Sequence, residues 1–153
     1  LSPMAFLFSD VIMYFLISAV GMVIVLLIGT LAYGCDFTGD PLLFVYGFTL
    51  SGLSMFSIGL LIASLSKNAK IAQTVGMVIG FPMMFLSGAG TPVEMLPDSI
   101  DKIVKVMPLS YCVSMMRDIW EGLSFSDLSG DSLVLLCIAV VFTLLTAITF
   151  KWD

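Results

Sequence analysis

Histidine does not occur in this 153-residue chain, and only 17 residues carry a charge. The missing imidazole removes the commonest general base and metal ligand. Three cysteines, Cys35, Cys112 and Cys137, are odd in number and lack the paired spacing of a metal site. No glycine-rich phosphate loop ending in Gly-Lys-Ser/Thr is present, so the chain does not hydrolyse ATP by that route. No catalytic residue, metal or cofactor is expected, and no nucleic-acid partner.

Charge is also missing from four long runs: Val11 to Cys35, Pro41 to Ser66, Ile71 to Val93 and Ser132 to Phe150, of 25, 26, 23 and 19 residues. An even scatter would place a charge about every ninth position; here every charge falls between the runs or at their ends. A bilayer core about 30 Å thick needs roughly 20 apolar residues in a helix. A lone charge at mid-depth costs on the order of 2.5–3.5 kcal/mol. Apolar residues make up 59% of the chain and mean hydropathy is +1.13. A water-soluble core would need amphipathic periodicity, and none of the four runs has a continuous polar face. The first run is too long for a signal peptide and lacks a basic flank and a cleavage site. The expected fold is all-α, a polytopic transmembrane helical bundle with four visible spans. The spans hold no ionised carboxylate or lysine, so an ion-coupled mechanism has no obvious carrier.

Charge placement sets the orientation. Lys67-Asn68-Ala69-Lys70 joins the second and third runs with two lysines and no acid, and Lys151 follows the fourth run. By the positive-inside rule these ends are cytoplasmic, as are both visible termini. The opposite side holds the turn with Asp36 and Asp40 and the segment from Glu94 to Asp131, together nine acidic and three basic residues.

Local signals mark helix ends. Asp40 before Pro41 reads as an N-cap followed by proline at the first helical position. Asn68 and Asp131 are the expected caps of the third and fourth runs. Thr91-Pro92-Val93-Glu94 reads as a capping box. The third run carries Pro82 near its middle and then Ser87-Gly88-Ala89-Gly90-Thr91-Pro92, so a kink or break before the outer surface is expected. A packing kink and a broken helix lining a cavity both remain open. Gly76 and Gly80 form a small-xxx-small pair that allows close approach of another helix.

Two short amphipathic half-helices are expected on the outer side. Ile100, Ile103, Val104 and Met107 line one face after Pro97. Leu109, Cys112, Val113, Met116, Ile119 and Trp120 line another after Pro108. Both should lie in the interface with Trp120, Tyr111 and Phe125 at headgroup depth. A simple cap and a moving outer gate are both compatible with this pattern. Cys35 and Cys112 share the outer side, where a disulfide is open but free thiols are expected; Cys137 reads as a small buried hydrophobe. Eleven methionines and twelve phenylalanines suit packing and lipid contact; a cavity lined by them would be soft and apolar.

The order of motifs resembles a known family. Ser66-Lys67-Asn68, Ala72-Gln73, Phe81-Pro82-Met83-Met84-Phe85-Leu86-Ser87-Gly88, Pro92, Leu96-Pro97, Pro108-Leu109-Ser110-Tyr111 and Arg117 look like the permease subunit of type-2 ABC (ABC-2) exporters. Leu1-Ser2-Pro3 is similar to the family's sequence just after its cytoplasmic coupling helix, so the resemblance covers nearly the whole chain. Ser114 departs from it, standing where many members have an aspartate three residues before the arginine.

The resemblance implies a single ABC-2 transmembrane domain over residues 1–153, holding spans three to six of an expected six. It implies a partner ATPase subunit, a second permease copy and surrounding plasma-membrane lipid. It also implies ATP-driven export of a hydrophobic or amphiphilic substrate such as a drug, lipid or polysaccharide. Phe81, Pro82, Phe85, Gly88 and Pro92 would form the hinge and translocation path. Pro97, Pro108, Leu109, Tyr111 and Arg117 would form the outer gate, and Lys67, Asn68 and Lys70 the loop facing the ATPase. The rival readings are a non-transporting scaffold or regulatory subunit and an integral-membrane enzyme; the second is weakened by the absence of histidine and intramembrane carboxylates.

Overall fold

The first uncharged run folds as the greater part of α1, Pro3–Ala32, a 30-residue helix about 45 Å long at 1.5 Å per residue. It begins upstream of Asp10, so that carboxylate sits within the helix rather than ahead of it. Its surface is apolar on all sides, with Leu16, Val20, Val25 and Leu31 exposed. Gly34, at φ +62°, takes the left-handed backbone that closes helices and favours glycine. The computed structural model describes residues 3–34, 37–88 and 103–149. It divides into two units, residues 1–38 and residues 39–153, and α1 is the helix of the first.

In the second unit, side-chain caps start the two central helices where expected. Asp40 keeps extended backbone and its Oδ1 accepts from the Leu42 N–H at 2.8 Å, with Pro41 at the first helical position. This opens α2, Pro41–Leu65. Asn68 Oδ1 accepts from the Ile71 N–H at 2.9 Å and opens α3, Ala69–Leu86. Pro108 opens the outer half-helix α4, Pro108–Trp120, and α5 is Ser129–Thr149. Four helices (α1, α2, α3 and α5) are long and apolar enough to cross a membrane, and no strand occurs among the described residues. The chain is an all-α, multi-pass membrane protein.

One boundary differs from the sequence reading. Asp131 is not the cap of α5 but lies in its first turn. The preceding chain is wound tightly by Asp127, whose Oδ2 accepts from the Ser124 N–H and Oγ–H at 3.2 and 2.7 Å. Helical bonding therefore starts earlier, with the Ser132 N–H bonded to the Leu128 carbonyl. Helix α3 continues through Pro82 and ends at Leu86, at the start of the small-residue stretch where a break was expected. The Ser87 N–H closes on the Met83 carbonyl, and Gly88 turns away at φ +85°. Thr91, Pro92, Glu94, Pro97 and most of the first half-helix lie outside the described residues; Ile103 and Val104 form a helical turn.

The core sits where α2 packs on α5 and α4. The buried stripe of α2 is Phe44, Gly47, Leu50, Ser54 and Ser57, one position per turn. Ser54 and Ser57 turn their hydroxyls back onto the Leu50 and Ser54 carbonyls, each at 2.7 Å. These two hydroxyls are thereby satisfied within the helix, and small side chains let backbones approach, the usual packing between helices in lipid. Facing them are Met115 and Ile119 of α4 and Leu135 of α5, all fully buried. The buried face of α4 is Cys112, Met115 and Ile119, so Met115 rather than Met116 points deepest. Cys112 is a free buried thiol. Cys137 is exposed, not buried as expected.

Candidate functional site

Two features at opposite ends of α3 collect the residues singled out by the sequence. At its N-terminal end, Lys67 and Asn68 form an exposed turn after α2, with Asn68 fixed by its cap bond, and Lys70 lies exposed in the first turn of α3. At its C-terminal end, some 27 Å away at helical rise, Ser87 is buried against a pocket of mixed apolar and charged lining.

That pocket has a volume of about 370 Å³. Its walls come from the end of α3 (Ser87), the turn at Val104 and Lys105, the exposed edge of α4, and the first turn of α5. Tyr111 is locked in place: its hydroxyl donates to the Lys105 carbonyl at 2.6 Å, tying α4 to the preceding turn. Ser110, Ser114, Arg117, Asp118 and Asp131 supply the polar lining. The Ser110 hydroxyl oxygen is buried without a hydrogen-bond partner among the described residues.

Electrostatics in the pocket are unbalanced locally. Asp118 has its pKa raised, first by partial burial, then by the like charges of Asp131 and Glu121, with Arg117 acting in the opposite direction. Burial likewise pushes the Cys112 thiol up, opposed by the neighbouring Ser51 hydroxyl. Aromatic pairs brace the same end: Phe44 meets Trp120 edge-on at 6.4 Å, and Tyr46 meets Phe125 at 5.6 Å.

The structure joins some of the expected site residues and separates others. Tyr111 and Arg117 share the pocket, while Pro108 and Leu109 set the start of α4. Phe81, Pro82 and Phe85 lie on the exposed surface of α3, the two rings 59% and 51% exposed. Phe81 lines an open groove of about 360 Å³ on α3, with Gln73, Gly76, Met77, Gly80 and Met84. Gly76 and Gly80 meet no helix there; nothing lies within 4 Å of where their Cβ atoms would be. Close helix approach occurs instead at Gly47, which carried no motif. Pro92 and Pro97 lie outside the described residues. Sequence reasoning missed Ser87, Asp118 and Asp131 as pocket residues, because each reads locally as loop, polar face or cap. Among the described residues, no group of acidic, cysteine and histidine side chains is arranged to hold a metal.

Comparison with known proteins gives one consistent result. The profile of the family described as ABC-2 family transporter protein matches residues 1–148. The "Probable multidrug ABC transporter permease YbhR" of Escherichia coli K12 is 32% identical over 110 residues, covering 72% of this chain and 30% of that protein. The "Probable multidrug ABC transporter permease YbhS" of the same organism is 26% identical over 145 residues, 94% of this chain and 37% of that one. "Nodulation protein J" of Rhizobium meliloti is 30% identical over 100 residues, 65% of this chain and 38% of that one. The chain thus spans about a third of the length of these relatives. No solved structure matches.

Proposed function

Because this chain belongs to the ABC-2 transporter family, we propose that it forms membrane-spanning helices of an ATP-driven exporter moving hydrophobic or amphiphilic cargo across the plasma membrane. The lysine turn faces the cytoplasm and an ATPase subunit supplied by another chain. A second permease copy completes the path, and lipid surrounds the rest. The multidrug names of two relatives support the substrate class.

One observation carries the mechanism. A single uninterrupted helix, α3, connects the lysine turn to the pocket, with its last residues packed beside α4. ATP binding biases two conformations of the complex only by its preference between them. A push on Lys67–Lys70 is transmitted by a helix far more readily than by a loop. Movement at Ser87 then shifts Tyr111 and Arg117, while Gly88 absorbs the change in direction. Phe81, Pro82 and Phe85 present an apolar path on the exposed surface of α3, and Pro92, Pro97, Pro108 and Leu109 frame the outer gate. Both termini of residues 1–153 lie inside.

The test uses the full-length permease purified with its ATPase partner, in Pro82→Ala and Gly88→Ala forms. Gly88→Ala places a side chain at φ +85°, a strain of about 1–2 kcal/mol. Substrate-stimulated ATP hydrolysis should uncouple from export in at least one variant. Unchanged coupling in both removes the lever, and failure of any ATPase to copurify removes the exporter.

A further inference from the structure

We propose that the pocket between α3, α4 and α5 holds the headgroup of an outer-leaflet phospholipid bearing both a phosphate and a primary ammonium. This rests on the outward orientation given above and not on transport itself. Four charged residues, Lys105, Arg117, Asp118 and Asp131, line one pocket of about 370 Å³. Charges of both signs converging on one concavity suit a ligand that carries both.

The signs decide the ligand. A simple anion entering the pocket meets two carboxylates, and a simple cation meets Arg117. A ligand with separated charges satisfies both sets: phosphate on the planar fork of Arg117, ammonium between Asp118 and Asp131. Burial first, and then the like charges of Asp131 and Glu121, raise the Asp118 pKa, and an ammonium would neutralise the charge part of that field. Val104 and Val113 form the apolar part of the lining, against which the glycerol and first methylenes can lie. The Phe44–Trp120 and Tyr46–Phe125 pairs mark the same end as headgroup depth.

The experiment titrates the full-length permease in mild detergent with three probes and reads melting temperature. The probes are a short-chain phosphatidylethanolamine, the matching phosphatidylglycerol, and free phosphoethanolamine. Wild type should reach half-maximal stabilisation at a phosphatidylethanolamine concentration about tenfold below that of phosphatidylglycerol, the scale of one charge-assisted hydrogen bond. Asp118→Asn and Asp131→Asn should erase that preference, with phosphatidylglycerol binding no more weakly than to wild type. Arg117→Gln should weaken both lipids, and Asp10→Asn, on α1 and not among the pocket residues, should change neither. Equal midpoints for the two lipids in wild type overturn the proposal. So does loss of preference in Asp10→Asn, or free phosphoethanolamine acting as strongly as the lipid. Loss of the exporter reading with this preference intact would leave the lipid site standing.

Discussion

A methyl group at position 47 should loosen the join between α2 and α4, and a second, smaller change should repair it. A Cβ at Gly47 would lie 2.6 Å from Ile119 Cδ1, 3.4 Å from Met116 Sδ and 3.5 Å from Met115 Cε. Carbon atoms in contact prefer about 3.5–4.0 Å, so only the first approach is a clash, of roughly 1 Å. Ile119 is fully buried, so its terminal methyl has little free space to enter. Gly47→Ala should therefore cost about 1–3 kcal/mol as overpacking. Ile119→Val removes Cδ1 and alone should cost about 0.5–1.5 kcal/mol. Combined, the alanine methyl occupies the space vacated, and the double variant should lose about 1 kcal/mol or more less than the sum. The assay is reversible unfolding of the full-length protein in detergent micelles. Maleimide reaction at Cys112, buried on the same face of α4, serves as a local reporter that should speed up in Gly47→Ala and slow again in the pair. Strict additivity of the two changes would refute the packing geometry.

Two further outcomes follow from the same packing and charge. Leu135→Ala should destabilise by about 2–5 kcal/mol, because Leu135 is 0% exposed. Its neighbour Leu136, 53% exposed, should tolerate alanine with a far smaller loss in the same unfolding assay. The folded-state pKa of Asp118 is raised above its ordinary 3.8, so the ionised carboxylate costs stability at neutral pH. That cost is absent below about 3.8 and grows as pH rises through the raised value. Asp118→Asn should accordingly melt higher than wild type at pH 7.5 in lipid-free detergent, with the gap shrinking on acidification; a gap that widens would contradict the sign.

The parts of this fold that sequence revealed are those set by chemistry within a few residues or by length against bilayer thickness. Asp40 and Asn68 cap α2 and α3 as expected, since an N-cap bond spans only two or three residues. Uncharged runs identified four long helices because a charge in hydrocarbon is costly wherever the helix points. What failed depended on neighbours. Gly76 and Gly80 carry the close-packing motif yet meet nothing, whereas Gly47 carries none and touches Ile119. Polarity cannot tell a protein-facing apolar surface from a lipid-facing one, so Cys137 was expected inside and lies outside. Asp131 looked like a cap until the Ser124–Asp127 turn fixed an earlier helix start. The pocket was half legible: Tyr111 and Arg117 stood in a motif, while Ser87, Asp118 and Asp131 come together only when three helices meet.

Orientation bears most of the weight, because cytoplasmic coupling and an external headgroup site both fail if the bundle is inverted. The direct measurement places single cysteines at Lys67 and at Ser114, both exposed, in the full-length chain with native cysteines replaced. Intact cells are then treated with a membrane-impermeant maleimide. Ser114→Cys should label in intact cells and Lys67→Cys only after permeabilisation; the reverse pattern would contradict the proposed topology.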